Sequence, residues 1–64
     1  MKIKYDKELD IIYFSFQNKK VAESEEKRPG IIMDFDDKGN IIGIEVLEAS
    51  KKIGTPGKVT YEFA

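Results

Sequence analysis

Residues 29–50, PGIIMDFDDKGNIIGIEVLEAS, contain two apolar runs on either side of a short polar segment. In both runs, Ile31–Phe35 and Ile41–Leu47, every second residue is apolar and the more polar residues fall between them, as in half-buried β-strands. The segment between them includes Gly39 and Asn40, which tolerate the positive φ angles of hairpin turns. This stretch therefore predicts a β-hairpin and, with it, an antiparallel sheet.

The pairing of the two hairpin strands depends on the length of the turn. A loop over residues 36–39 places Met33 opposite Ile42 and joins two apolar faces, whereas a shorter loop with a glycine bulge places Ile32 beside Ile42 and Ile44. Because a one-residue slip moves every side chain to the other face, the two registers predict different cores. We favour the first register.

Further segments carry strand patterns. Lys2–Tyr5 and Ile11–Phe16 alternate and are joined by a polar connector, so they predict a second hairpin. Lys58–Phe63 also alternates and predicts a last strand. Val21–Glu26 has little apolar content after its first two residues, so it is either a charged edge strand or an extended loop.

We expect a single domain over residues 1–64 with a mainly β (β-rich α+β) fold. The fold is an antiparallel sheet of four to five strands built from hairpins, with one short helical segment after Leu47, where helix formers precede Gly54. One short helix cannot cover the apolar face of such a sheet, so we expect a homo-oligomer, with a dimer favoured. The expected core is Ile3, Tyr5, Ile12, Phe14, Phe16, Ile31, Met33, Phe35, Ile42, Ile44, Val46, Val59, Tyr61 and Phe63.

Composition excludes several classes of function. The chain has 11 Lys and Arg against 12 Asp and Glu, and their interleaving leaves no basic patch, so we expect no binding to nucleic acid or to a membrane. It has no Cys and no His, which excludes thiolate and imidazole chemistry. The chain has no signal-peptide pattern and no long apolar run, so we expect a cytoplasmic location. We also expect that it holds no metal and no cofactor.

The segment from Asp34 to Glu45 partly matches a calcium-binding EF-hand loop. Acidic residues stand at its first, third and twelfth positions and Gly39 at its sixth. However, Lys38 occupies the fifth position, where a ligand oxygen belongs, and the flanks have strand periodicity instead of helical periodicity. A hairpin turn explains the same residues without a metal.

Two acidic residues, Asp34 and Glu45, interrupt otherwise apolar strands. The simplest interpretation is a half-exposed outer face on which these carboxylates point to water. The alternative is a partner-binding face, in which apolar area provides affinity and the acids fix the register. That candidate face consists of Tyr13, Ile32, Asp34, Ile41, Glu45 and Leu47.

The chain carries a set of motifs, Tyr5-Asp6, Asp10–Phe14, Val21–Glu26, Pro29–Ile32, Asp34–Asp36 with Gly39, Gly43–Leu47 and Ala49-Ser50. In this order they resemble one family of small prokaryotic proteins, domain of unknown function 2283. The resemblance covers about residues 1–52 and thins beyond Ile53. It implies a compact β-rich fold and no established activity, and it supplies no catalytic residues. Members of such families are sometimes encoded beside small toxin-like proteins, which implies an antitoxin or partner-binding role.

The leading hypothesis is a non-enzymatic protein-interaction module, in its narrower form the antitoxin-like partner of a small toxin. One alternative is a small metal-dependent hydrolase that uses the carboxylates of Asp34, Asp36 and Glu45, which would have to converge. Another is a small-ligand binder with a pocket at an oligomer interface.

Overall fold

Five antiparallel strands and one short helix make up the chain in the computed structural model, which describes all 64 residues. The mainly β fold with a short helix after Leu47 is confirmed. The helix has four residues, and no helix of the chain is long and apolar enough to cross a membrane. The elements are β1 (Lys2–Asp6), β2 (Ile11–Ser15), β3 (Glu23–Arg28), β4 (Ile31–Phe35), β5 (Ile41–Leu47) and α1 (Ala49–Lys52).

The sheet has the strand order β1-β2-β5-β4-β3, so β5 lies at its centre. β5 pairs antiparallel with β2 on one side and with β4 on the other. It is the longest strand, with seven residues, and its branched apolar side chains suit a strand that is paired on both sides. The backbone pairing between the first hairpin and the β3–β4 hairpin therefore runs only through β5.

One face of the sheet, which we call the apolar face, carries the main core cluster, and Ile42, 2% exposed, is buried outside that cluster. Cross-strand partners share a face, so the pairs Ile12–Val46 and Ile31–Val46 define it. The helix covers one end, where Ala49 has no exposed surface and packs against Ile12 and Val46. The remaining members are half-buried. The apolar face consists of Ile3, Tyr5, Ile12, Phe14, Ile31, Met33, Ile44 and Val46.

The predicted register of the β4–β5 hairpin was wrong. Met33 pairs with Ile44 instead of Ile42, although the two apolar faces do lie on the same side of the sheet. One cause is an irregularity between Asp34 and Phe35, where β5 contributes Ile42 as an extra residue and shifts the pairing. The other is a turn that is longer than the predicted four residues.

The segment left open between an edge strand and a loop, Val21–Glu26, is an edge strand from Glu23 onward, while Val21 and Ala22 precede the strand. β3 pairs with β4 from Glu23 to Arg28 with an irregularity at Lys27, and all six of its residues are exposed. Its charged side chains project from both faces, which discourages the addition of another strand at this edge.

The predicted last strand, Lys58–Phe63, was wrong. These residues form no strand, and Val59, Tyr61 and Phe63 are 59%, 76% and 89% exposed instead of lying in the core. Alternating apolar and polar residues show which side chains a strand would bury. A strand also needs a neighbouring strand to pair with, and none in the chain pairs with this segment. Phe16, at 38% exposed, also lies outside the core because β2 ends at Ser15.

Candidate functional site

A buried carboxylate, that of Asp34, lies on the side of the sheet opposite the apolar face, which we call the mixed face. Asp34 is 7% exposed. Its Oδ2 accepts a hydrogen bond from the hydroxyl of Tyr13 at 2.8 Å, and its Oδ1 accepts one from the hydroxyl of Ser24 at 2.6 Å. The interpretation that this carboxylate points to water was therefore wrong, since side chains from the neighbouring strands cover it.

Strand pairing positions this cluster. Ser24 on β3 pairs with Asp34 on β4, which in turn pairs with Gly43 on β5. Tyr13 on β2 lies one row away, opposite Glu45, so its ring leans across β5 to reach Asp34. Gly43 leaves the room for this, because a Cβ at that position would meet the Tyr13 hydroxyl oxygen at 2.6 Å.

The Asp34 carboxylate raises the pKa of Tyr13. The hydrogen bond that the phenol donates is the main cause, and burial and the negative charges of Asp34 and Glu45 add to it. Hydrogen bonding of this kind stabilises the neutral phenol. A neutral phenol is a poor base or nucleophile near pH 7, so the cluster is suited to holding three strands together.

Apolar side chains surround the Asp34 cluster on the mixed face. Tyr13, Glu45 and Ile32 form one cross-strand row, and Ile11 pairs with Leu47 in the next. All of them are half-buried. A shallow groove of about 320 Å³ runs along the β1 side of these rows, and it is lined by Lys4, Asp6, Leu9, Ile11, Tyr13 and Glu45.

One member of the predicted partner face lies apart from the others. Ile41 stands at the start of β5, beyond the bulge, where it pairs with Phe35 and is 40% exposed. The structure thus brings together the five remaining members, which are Tyr13, Ile32, Asp34, Glu45 and Leu47.

A second hydrogen-bonded carboxylate, that of Asp10, was missed by the sequence reasoning. Its Oδ1 accepts from the Tyr5 hydroxyl at 2.7 Å and from the Ser50 backbone N–H at 3.0 Å, and its Oδ2 accepts from the Ser50 hydroxyl at 2.6 Å. The Ser50 hydroxyl and then Tyr5 are the main reasons why the pKa of Asp10 is lowered. The backbone of Asp10 is left-handed, with φ 55°, which an Asp at a hairpin end tolerates. The tolerance of Asp for this backbone conformation was the one feature of the sequence that pointed to Asp10.

The carboxylate of Asp36 organises its own turn. Its Oδ1 accepts from the backbone N–H groups of Lys38 and Asn40 at 2.9 Å each, and its Oδ2 accepts from Asn40 Nδ2 at 3.1 Å. The backbone N–H of Asn40 is the main cause of a lowered pKa at Asp36, and Lys19 Nζ lies 3.6 Å from Oδ2. These bonds keep all of residues 36–40 in the turn.

The carboxylates of Asp34, Asp36 and Glu45 do not form the cluster that the hydrolase alternative requires. Hydroxyl groups occupy both oxygens of Asp34, the turn occupies those of Asp36, and no three acidic side chains converge as a metal-binding group. The turn is flanked by β4 and β5, so the two helices of a calcium-binding loop are replaced by strands.

Comparison with known proteins identifies the family. The family model described as "Protein of unknown function (DUF2283)" matches residues 2–50 of the 64. The chain belongs to the DUF2283 family. In this DUF2283 protein the match spans all five strands and the clusters around Asp10 and Asp34, and it stops within α1. No curated protein and no solved structure matches the chain.

Proposed function

We propose that this DUF2283 protein is a non-enzymatic, cytoplasmic protein-interaction module that works as a homodimer. The mixed face carries the proposal, because its apolar side chains surround a carboxylate whose two oxygens already have hydrogen-bond donors. Such a site offers contact area and a fixed shape, which are what recognition of another protein needs.

The charges beside the mixed face indicate the chemistry of the partner. Ile32 pairs with Glu45 on one side and with Glu26 on the other, and Ile11 pairs with Asp6 on β1. Charges of both signs therefore lie beside the apolar side chains, since Lys4 pairs with Tyr13 on the same face. The face fits a partner that presents an apolar patch with Lys or Arg placed opposite Glu26, Glu45 and Asp6. In its narrower form the proposal names a small toxin-like protein as that partner.

The apolar face supports the proposed homodimer. The helix covers its end near Ala49, while Phe14, Ile44 and Met33 remain half-buried. A small sheet with one covered end gains stability by packing this face against the same face of a second copy.

A capture experiment with matched baits tests the partner proposal. Tagged wild type, Ile32→Lys and Ile53→Lys are used to capture proteins from native lysate and to co-purify the product of any adjacent small gene. A Lys at position 32 would lie between Glu26 and Glu45, so the fold should tolerate it. Ile53, at 41% exposed, is the control outside the mixed face. We expect a partner that wild type and Ile53→Lys retain and Ile32→Lys loses; a chain that captures only itself contradicts the proposal.

Sedimentation over a range of concentrations tests the homodimer. We expect a mass twice the 7.3 kDa of the chain for the wild type. We expect a weaker dimer for Met33→Lys, because the new charge lies on the apolar face, and its position beside Glu25 of β3 should let the chain fold. A wild-type monomer at all concentrations would rule out the dimer.

A further inference from the structure

The C-terminal segment Lys58–Phe63 has the sequence of a strand but lies outside the sheet. Its apolar side chains at 59, 61 and 63 are all more than half exposed, and the rings of Tyr61 and Phe63 contact each other edge to face at 5.4 Å between centroids. Within the chain, its backbone makes one hydrogen bond outside regular elements, from Lys58 N–H to Thr55 O. The segment thus exposes both apolar area and unsatisfied backbone groups.

β1 is a free edge of the sheet that offers what this segment lacks. It is the first strand in the order of the sheet and pairs only with β2, so one side of its backbone has no partner. Ile3 and Tyr5 project to the apolar face and are half-buried, while Lys2 and Lys4 are exposed. A strand added here would extend the apolar face if its own apolar residues alternated in phase with Ile3 and Tyr5.

We propose that Lys58–Phe63 of one copy pairs antiparallel with β1 of a second copy as a sixth strand. In one register four of the five cross-strand pairs are favourable, and the fifth is neutral. Both ends join opposite charges, and the two inner pairs on the apolar face each join an aromatic to a β-branched side chain, which stabilises antiparallel sheets. The pairs are Lys2–Glu62, Ile3–Tyr61, Lys4–Thr60, Tyr5–Val59 and Asp6–Lys58.

The other arrangements are less favourable. A parallel alignment with the same overlap would place Lys2 opposite Lys58 and Asp6 opposite Glu62, two pairs of like charge. The edge at β3 would place the apolar residues of the segment beside charged ones, because Glu25 lies on the apolar face next to Met33. The charges and the alternation therefore select β1 and the antiparallel direction.

The donor and acceptor belong to different copies, because the segment makes no pairing with β1 of its own chain. Exchange between two copies is symmetric: each gives one strand and accepts one, so a closed dimer has two such pairings. This proposal uses neither the mixed face nor the partner that binds there. It adds to the proposed self-association a contact that the apolar face alone would not make.

Disulfide trapping tests the register. The chain has no Cys, so a pair of introduced cysteines reports one contact. Lys4→Cys protein is mixed with Thr60→Cys protein of different mass under mild oxidation, and Glu25→Cys with Thr60→Cys is the matched control at the other edge. We expect the Lys4–Thr60 product to exceed the control by at least about tenfold, since strand partners meet disulfide geometry. Equal yields would overturn the proposal.

The doubly substituted Lys4→Cys/Thr60→Cys chain distinguishes exchange from folding back within one copy. We expect a covalent dimer, whereas a covalently closed monomer at low concentration would overturn the proposal. Charge reversal gives an independent measurement. Glu62→Lys should raise the dissociation constant of the dimer about 2- to 30-fold, and the double variant Lys2→Glu/Glu62→Lys should bring it back to the wild-type value. A dimer that persists on the apolar face without the trapped product would leave the proposed function intact while removing this contact.

Discussion

The hydroxyl oxygen of Tyr13 lies 2.6 Å from the position that a Cβ on Gly43 would occupy. The backbone carbonyl oxygen of Phe14 lies 3.0 Å from the same position and cannot move away as a side chain can. Gly43→Ala is therefore expected to displace the ring from Asp34 and to lower the free energy of unfolding by about 1–3 kcal/mol, as measured by urea denaturation.

The matched control for this substitution is Gly57→Ala. No atom lies within 4 Å of a Cβ built at Gly57. Its free energy of unfolding should remain within about 0.5 kcal/mol of the wild type. Equal urea midpoints for Gly43→Ala and Gly57→Ala would show that the Tyr13 ring can move away from a Cβ at position 43 without loss of stability.

Stability at high pH should depend on Tyr13. The pKa of Tyr13 in the folded chain is raised above its ordinary value of 10.0, chiefly by the hydrogen bond to Asp34. Its contribution is therefore complete below pH 10 and is lost as the pH rises through the folded pKa. We expect the gap in free energy of unfolding between wild type and Tyr13→Phe to narrow above about pH 10. A constant gap from pH 8 upward would contradict this prediction.

The hydrogen bonds between Ser50 of α1 and Asp10 should make the stability of the protein depend on pH in the acid range. The Ser50 hydroxyl is the main cause that holds the pKa of Asp10 below its ordinary value of 3.8. The stability from this bond is present above that pH and is lost as the pH falls through the folded pKa. Ser50→Ala should raise the pKa of Asp10 in a carboxyl-carbon NMR titration, whereas Ser15→Ala should leave it unchanged. The same shift in both variants would argue against a specific bond.

The core should be sensitive at Ile12 and tolerant at Ile41, which are 2% and 40% exposed. Ile12→Val removes a buried methyl group and should cost about 0.5–1.5 kcal/mol. Ile41→Val removes the same group from a half-open position and should cost less than about 0.5 kcal/mol. Thermal unfolding of Ile12→Val and Ile41→Val measures both losses in stability. Equal losses would contradict the burial of Ile12 in the core.

Alternation in the sequence predicts four of the five strands, because a period of two reports which side chains a sheet can bury. It fails at Lys58–Phe63, where the same alternation exists but no strand of the chain is its partner. It also misses Ala49, whose burial depends on where a four-residue helix is placed and not on any pattern within the helix.

The candidate site was predicted in part for the same reason. Alternation places Tyr13, Asp34 and Glu45 on one face, and the structure agrees. The burial of Asp34 depends on the pairing of β3, whose strand character its charges left open. The Ser50–Asp10 bond joins residues separated by 40 positions, and the turn position of Asp10 does not indicate which residue its carboxylate binds.

The central position of β5 sets the order in which the molecule can assemble. During synthesis the first hairpin emerges early, and β3 and β4 follow, yet these two halves share no strand contact until β5 arrives. A chain that ends at Asn40 thus lacks the one strand that pairs with both hairpins, and a hairpin alone is marginally stable in water. Completion of the sheet is a late, long-range event, and it waits for residues 41–47 to leave the ribosome.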